Sequence, residues 1–218
     1  AENIPNEKNL QVALYEPQVA PLGAVGCSYS TKTVLDAFKV KYEQITDFSA
    51  LNKYPALIIG IRSMDAKVKE SSKAIDAWVL AGGRLLQYEQ LPDGNPPIPY
   101  VPQVRIHRWA SSSVVDLVES GHPIFSGIRR NENWDMWNGN VPESGRVGRI
   151  SASCILPLNQ TVLASGVHMA PRESKEALGM VVAEVKLGKG VILLSQVVAT
   201  RRFGQDCAPR VSRHGSWA

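Results

Sequence analysis

The chain has 218 residues, 44% of them hydrophobic and 20% charged, with a formal net charge of +4. This is ordinary composition for a globular domain with one substantial core, and no apolar run approaches the roughly 18 residues of a membrane-spanning helix. Its basic residues are scattered in loose groups such as Arg129/Arg130 and Arg201/Arg202, without the Lys/Arg run that marks a nucleic-acid surface, so neither nucleic acid nor membrane is expected as a partner.

In chain order, "AENIPNEKN" (1–9) lacks an initiator Met and reads as a polar linker, so a longer parent chain is expected. "LQVALYE" (10–16) alternates, placing Leu10, Val12 and Leu14 on one face of a strand. The loop "PQVAPLGAVGCSYS" follows. Ser30 at its end can cap a helix through "TKTVLDAFKVKY" (31–42), where Val34, Leu35 and Phe38 share one stripe. "YEQIT" gives a second strand near 43–46. "YPALIIGIR" gives a third over 56–61, its unbroken apolar run suiting a strand covered on both faces. Asp65 opens a helix over 65–81 with Val68, Ile75, Trp78 and Val79 inward. Gly82-Gly83 ends it with a left-handed cap, and "RLLQYEQ" (84–90) is the fourth strand. Strands and helices alternating over such short connections imply parallel pairing.

Beyond residue 91 the pattern changes. "PDGNPPIPYVP" is too proline-rich for a central strand or a helix. "VRIHRW" reads as a strand, and "SSVVDLVESGHPIFSGI" as a short helix closed by Gly121 and then a loop. Residues 129–149 are irregular. "GMVVAEVKLGKGVILLSQVV" is a hairpin over 180–197 that turns at Gly188-Lys189-Gly190, and the tail 206–218 has neither period.

The residues that carry chemistry are sparse. Cys27, Cys154 and Cys207 form no CxxC pair. Cys27 precedes a helix N-terminus, where the macrodipole favours a thiolate, but no His or acid is spaced to serve it. Cys154 reads as a core strand residue. His107, His122, His168 and His214 show no metal-ligand spacing, so no metal is expected. His122, in "GHPIFSGI", is read as holding a structural hydrogen bond to the backbone. "NENWDMWNGN" sets Trp134 and Trp137 beside Asn138, a mixture of flat apolar faces and amides that suits sugar rings as well as packing. "NQT" at 159–161 matches a glycosylation sequon, and "LGKG" joins two strands and is a turn, not a phosphate loop.

"YPALIIG" (54–60), "WVLAGGRLLQYEQ" (78–90), "GHPIFSGI" (121–128) and "VAEVKLGKGVILLSQ" (182–196), in this order, resemble the class I glutamine amidotransferase-like superfamily. The resemblance is nearest to its non-catalytic branch, the β-galactosidase trimerisation and ThuA-like domains attached to glycoside hydrolases. It covers residues 10–205. It implies one α/β domain there, a flavodoxin-like three-layer sandwich with a mainly parallel central sheet and an antiparallel C-terminal hairpin extension. Catalytic members read Gly-x-Cys-x-Gly at the corner after the fourth strand. Here Glu89 stands at the cysteine's position, with Gln87 and Leu91 for the glycines. A carboxylate is far too weak a nucleophile for a glutamine amide, and the bulky neighbours close the backbone approach to an oxyanion. His168 lies where a catalytic His is sought, but Ala170 occupies the place of the partner acid. Glu89 is expected to be ionised, held by corner amides or by Arg62.

The resemblance therefore implies an accessory or assembly domain of a larger carbohydrate-active protein, without catalytic residues or cofactor. Its partners would be neighbouring domains, a further copy of itself, or carbohydrate. Two alternatives stand beside it. One is a hydrolase using the crevice at the carboxyl ends of the strands, lined by Tyr15, Glu16, Cys27, Arg62 and Gln90 around Glu89. The other is a sugar-binding module using the Trp134/Trp137 loop. The cellular compartment is left open.

Overall fold

The apolar run "VALY" gives the first strand, β1 (Val12–Tyr15), and all four residues are buried, as in a strand covered on both faces. A short antiparallel pair, β2 (Ala20–Pro21) and β3 (Ser28–Tyr29), comes next in the chain. Then come α1 (Thr31–Ala37), β4 (Tyr42–Gln44), β5 (Ala56–Ile59), α2 (Ala66–Glu70), α3 (Ser72–Leu80) and β6 (Arg84–Gln87). Beyond them lie β7 (Pro97–Ile98), β8 (Val101–Ser112), β9 (Val114–Leu117), β10 (Ala152–Leu156), β11 (Thr161–Val167), β12 (Leu178–Leu187) and β13 (Gly190–Ser195). The structure, a computed structural model, describes residues 11–17, 20–21, 28–90, 97–112, 114–117, 121–125, 152–156, 161–167 and 178–196. The chain divides into two units, one of residues 1–87, 186–192 and 200–218, the other of 88–185 and 193–199.

In the first unit the strand order is β4-β1-β5-β6 and then the tip of the hairpin at β13. The first three pairings are parallel, as short strand–helix alternation requires: Val12 opposite Tyr42, Leu14 opposite Ile58, Leu57 opposite Leu85. This is an α/β fold with a parallel set of strands and an antiparallel hairpin. Leu57, Ile59, Val68, Ile75 and Val79 are fully buried in its core.

The expected helix over 31–42 is shorter. Ser30 caps it as anticipated, accepting from the Lys32 amide at 3.1 Å, but α1 ends at Ala37. Lys39 takes φ 57°, and the Lys39 and Val40 amides bond back to Asp36 and Leu35 carbonyls. That is a Schellman stop with lysine in the place glycine usually fills. It turns Phe38 outward, 61% exposed, so only Val34 and Leu35 of the expected stripe are buried. The expected helix over 65–81 is interrupted at Ser71, whose ψ of 3° leaves the helical range. Its start and end match expectation. Asp65 accepts from the Val68 amide at 3.0 Å, and Gly82 at φ 123° carries the closing Schellman pair, Gly82 N–H to Val79 O and Gly83 N–H to Trp78 O.

In the second unit β12-β10-β8-β7 lie in that order, with β11 pairing β12 and β9, and each recorded pair is antiparallel. Among the described residues the proline-rich stretch supplies β7, at the end of the order where proline is tolerated, and also, against expectation, Val101 and Pro102 at the start of β8. The short helix expected after Ser112 is replaced by strand. Val114 and Val115 are β-branched, and β9 pairs with β11 from Val114↔Val167 to Leu117↔Ala164, so cross-strand partners override the helical reading. His107 and Cys154 sit opposite each other in β8 and β10.

The hairpin turns at Gly188-Lys189, with Gly188 at φ 58°. Gly190 is needed for a different reason. Lys189 N–H donates to Leu80 O and Val191 N–H to Gly83 O, seating the hairpin tip on the end of α3. A Cβ on Gly190 would overlap the carbonyl oxygens of Val79 and Gly83, and one on Gly83 would enter the Trp78 ring. Gly190→Ala is therefore expected to cost about 2–3 kcal/mol, read by urea denaturation, as overpacking against backbone does.

Candidate functional site

In a parallel sheet, ligands gather at the carboxyl ends of the strands. At the end of β1, Tyr15 and Glu16 point to opposite sides, as strand neighbours must. Tyr15 is buried; its hydroxyl donates to Asp65 Oδ2 at 2.8 Å and its ring packs on Phe48 with centroids 4.6 Å apart. Asp65 thus closes two links at once, as the cap of α2 and as the acceptor of Tyr15. Burial first, then the hydrogen bond and charge of Asp65, push the Tyr15 phenol above its ordinary 10.0.

Glu16 is also buried, and its carboxylate meets the start of α1. Oε1 accepts from the Thr31 amide at 2.7 Å. Oε2 accepts from the Ser30 hydroxyl at 2.8 Å and from the Lys32 amide at 3.2 Å. The first turn of α1 contains no acidic residue of its own, so the end of β1 supplies the negative charge that its free amides attract. Gly60 makes the room. Its amide donates to Tyr15 O at 2.9 Å, and a Cβ there would come within 2.8 Å of Glu16 Oε1. The Ile61 amide donates to Thr31 Oγ1 at 2.9 Å, joining the loop after β5 to the same knot. Arg62 follows on the surface, in left-handed backbone at φ 52°. Two expected crevice residues, Tyr15 and Glu16, thus direct their polar atoms into the fold.

Glu89 and Gln90 belong to the second unit. Glu89 is 3% exposed, just past the end of β6, and Gln90 is equally buried. Gln196, which sequence reasoning passed over, binds the Gln90 peptide from both sides: its Oε1 accepts from Gln90 N–H at 2.8 Å and its Nε2 donates to Gln90 O at 3.4 Å. Gln90 in turn donates from Nε2 to Tyr88 O at 2.9 Å. A glutamine amide carries the same donor–acceptor pair as a peptide unit, so Gln196 continues the hydrogen bonding of a strand where the chain turns away.

His122 also finds a partner that the sequence did not indicate. Its Nδ1 accepts from the Ile124 amide at 3.3 Å, and its Nε2 lies 3.1 Å from Glu184 Oε2. The first bond fixes the tautomer, so Nε2 carries the proton toward the carboxylate. Both ring nitrogens are engaged, which suits the structural role read from "GHPIFSGI". Among the described residues no three His, Cys, Asp or Glu gather as metal ligands, and no helix is long and apolar enough to cross a membrane. Cys27, Leu91, Trp134, Trp137, Asn138 and His168 lie outside the described residues.

The sequence matches no family model and no curated protein. Among solved structures the fold is similar to that of the exo-beta-1,4-mannosidase Op5Man5 from Opitutaceae bacterium strain TAV5. The identity is 13% and the TM-score 0.51, over 94% of this chain and 34% of that one. It is similar also to a ThuA-like protein from Bacteroides uniformis ATCC 8492, at 13% identity and TM-score 0.50, over 86% of this chain and 81% of that one. A beta-galactosidase from Rahnella sp. R3 aligns at 16% identity and TM-score 0.48, over 85% of this chain and 28% of its own. The chain thus spans about a third or less of the mannosidase and the galactosidase.

Two outcomes follow from the β1 corner. Glu16→Ala strips charge-assisted bonds from buried donors and is expected to cost about 2–4 kcal/mol in urea denaturation, with Glu16→Gln losing less because its amide oxygen still accepts. Tyr15 holds its proton more tightly folded than unfolded, so its stabilisation is complete below about pH 10 and is lost as pH rises through the folded value. Stability measured against pH should fall above about pH 10, and Tyr15→Phe should make that fall shallower without removing it, since burial also raises Tyr88 and Tyr100.

Proposed function

We propose that this chain is a flavodoxin-like, three-layer domain of the class I glutamine amidotransferase-like type that no longer performs amidotransferase chemistry. It serves as an accessory or assembly domain of a larger carbohydrate-active protein. The observation that carries this reading is the corner after β6. Where catalytic members of the resembled superfamily place a cysteine, this chain has Glu89, 3% exposed, beside Gln90, whose backbone is clamped by Gln196. Amidotransfer needs an accessible thiolate and open backbone amides for the oxyanion. This corner has a carboxylate, and its Gln90 amide is already committed to a glutamine oxygen.

The β1 corner supports the same reading. Its amides at the head of α1 are engaged by Glu16, so the carboxyl end of β1 presents a self-satisfied knot to any ligand. The fold likeness to a segment of the exo-beta-1,4-mannosidase and to most of a ThuA-like protein supports a domain that occurs both within a sugar-processing chain and nearly alone.

The purified chain is expected to release no ammonia from glutamine. Glu89→Cys should not restore release, because Gln87 is buried in β6 where an elbow glycine is needed and the Gln90 amide stays tied to Gln196. Glutaminase activity in the unmutated chain that disappears in Glu89→Ala would overturn the proposal.

A further inference from the structure

The first unit leaves one strand edge open among the described residues. β4 pairs only with β1 there, and it stands at the end of the strand order. The Ile45 amide donates to Leu14 O at 2.9 Å. Peptide groups alternate along a strand, so Glu43 and Ile45 turn theirs toward β1, while Tyr42 and Gln44 turn theirs to the open edge. The side chains of Lys41, Glu43 and Gln44 are exposed.

Edge strands are usually protected by shortness and by charge, and a lysine facing a second lysine would repel a second copy. The pattern here is different. Lys41 and Glu43 lie two apart, on the same face, with Tyr42 between them. An antiparallel pairing of two copies about a two-fold axis at Tyr42 makes Tyr42 face its own counterpart as a hydrogen-bonded pair, the pairing its outward N–H and C=O allow. The flanking positions then match Lys41 with Glu43 of the second copy, and Glu43 with Lys41, in non-hydrogen-bonded pairs, where side chains approach most closely. An isologous contact needs this self-complementarity. Phe38, 61% exposed, and Val40, 38% exposed, immediately precede the strand.

We propose that β4 is a homodimerisation edge, joining two copies of this chain antiparallel about Tyr42 through reciprocal Lys41–Glu43 pairs. The proposal is independent of whether the β6 corner is chemically idle, and its readout is mass rather than turnover.

Sedimentation velocity of the full chain over a concentration series is expected to show a monomer–dimer equilibrium that weakens as salt rises. Lys41→Glu and Glu43→Lys each set like charges opposite one another and should raise the dissociation constant roughly tenfold or more. The double reversal Lys41→Glu/Glu43→Lys restores opposite charges at both positions and should recover most of the affinity. Glu43 also accepts the Tyr54 hydroxyl. Lys41→Glu leaves that bond in place, and circular dichroism of each variant separates lost association from lost fold. A monomer at every concentration, a dimer indifferent to the single reversals, or a well-folded double variant no tighter than the singles would each overturn the proposal.

Discussion

The first unit depends on one carboxylate. Glu16 leaves β1 and fills the space that Gly60 keeps open, and its two oxygens take the hydroxyl and amides that begin α1. A helix start carries unsatisfied amides and partial positive charge. In many α/β folds that corner receives a ligand's anion. Here the protein supplies the anion itself, and the same knot draws in the loop after β5 through Thr31 and Ile61. The end of β1, the start of α1 and the loop after β5 are thereby joined around a single side chain. The same geometry that steadies the fold removes an obvious place for phosphate or carboxylate to bind.

Tyr15 does the matching task on the other side of β1. Its bond to Asp65 ties the strand to the start of α2, so adjacent residues at the end of one short strand fix two helix starts by different chemistry, one ionic and one phenolic. Polar burial of this kind is stable only when each donor and acceptor is met.

The sequence revealed much of the first unit because its signals are local. Ser30 and Asp65 cap helices, Gly82 stops one, and apolar runs mark β1 and β5; each rests on a few neighbouring residues. It misjudged elements whose outcome is decided at a distance. Val114 and Val115 sit in a segment that reads as helix until β11 is available to pair with it. The end of α1 turned on Lys39 adopting a backbone conformation that glycine usually takes, which no periodicity announces. The site divided along the same line. Glu16 and Tyr15 were legible as polar residues at a strand end. Their partners Ser30, Thr31 and Asp65 lie 14 to 50 residues away, so the direction in which each side chain turned was not legible. Gln196 and Glu184 lay hidden for the same reason, 106 and 62 residues from the groups they hold.

The seat of the hairpin tip on α3 has a consequence for how the chain assembles. Gly83 and Leu80 offer their carbonyls to Val191 and Lys189, and Gly190 is flush against the end of the helix. The first unit is therefore discontinuous. Its parallel strands are all synthesised by residue 87, but the strand that completes their edge arrives only after about a hundred further residues. During translation the outer side of β6 and the C-terminal end of α3 wait uncovered while the second unit emerges. The interval is one in which an unpaired strand can meet the wrong neighbour. Gly188 and Gly190, which carry no side chain against the carbonyls of Leu80, Val79 and Gly83, let the late-arriving tip close that site without rearranging what has already formed.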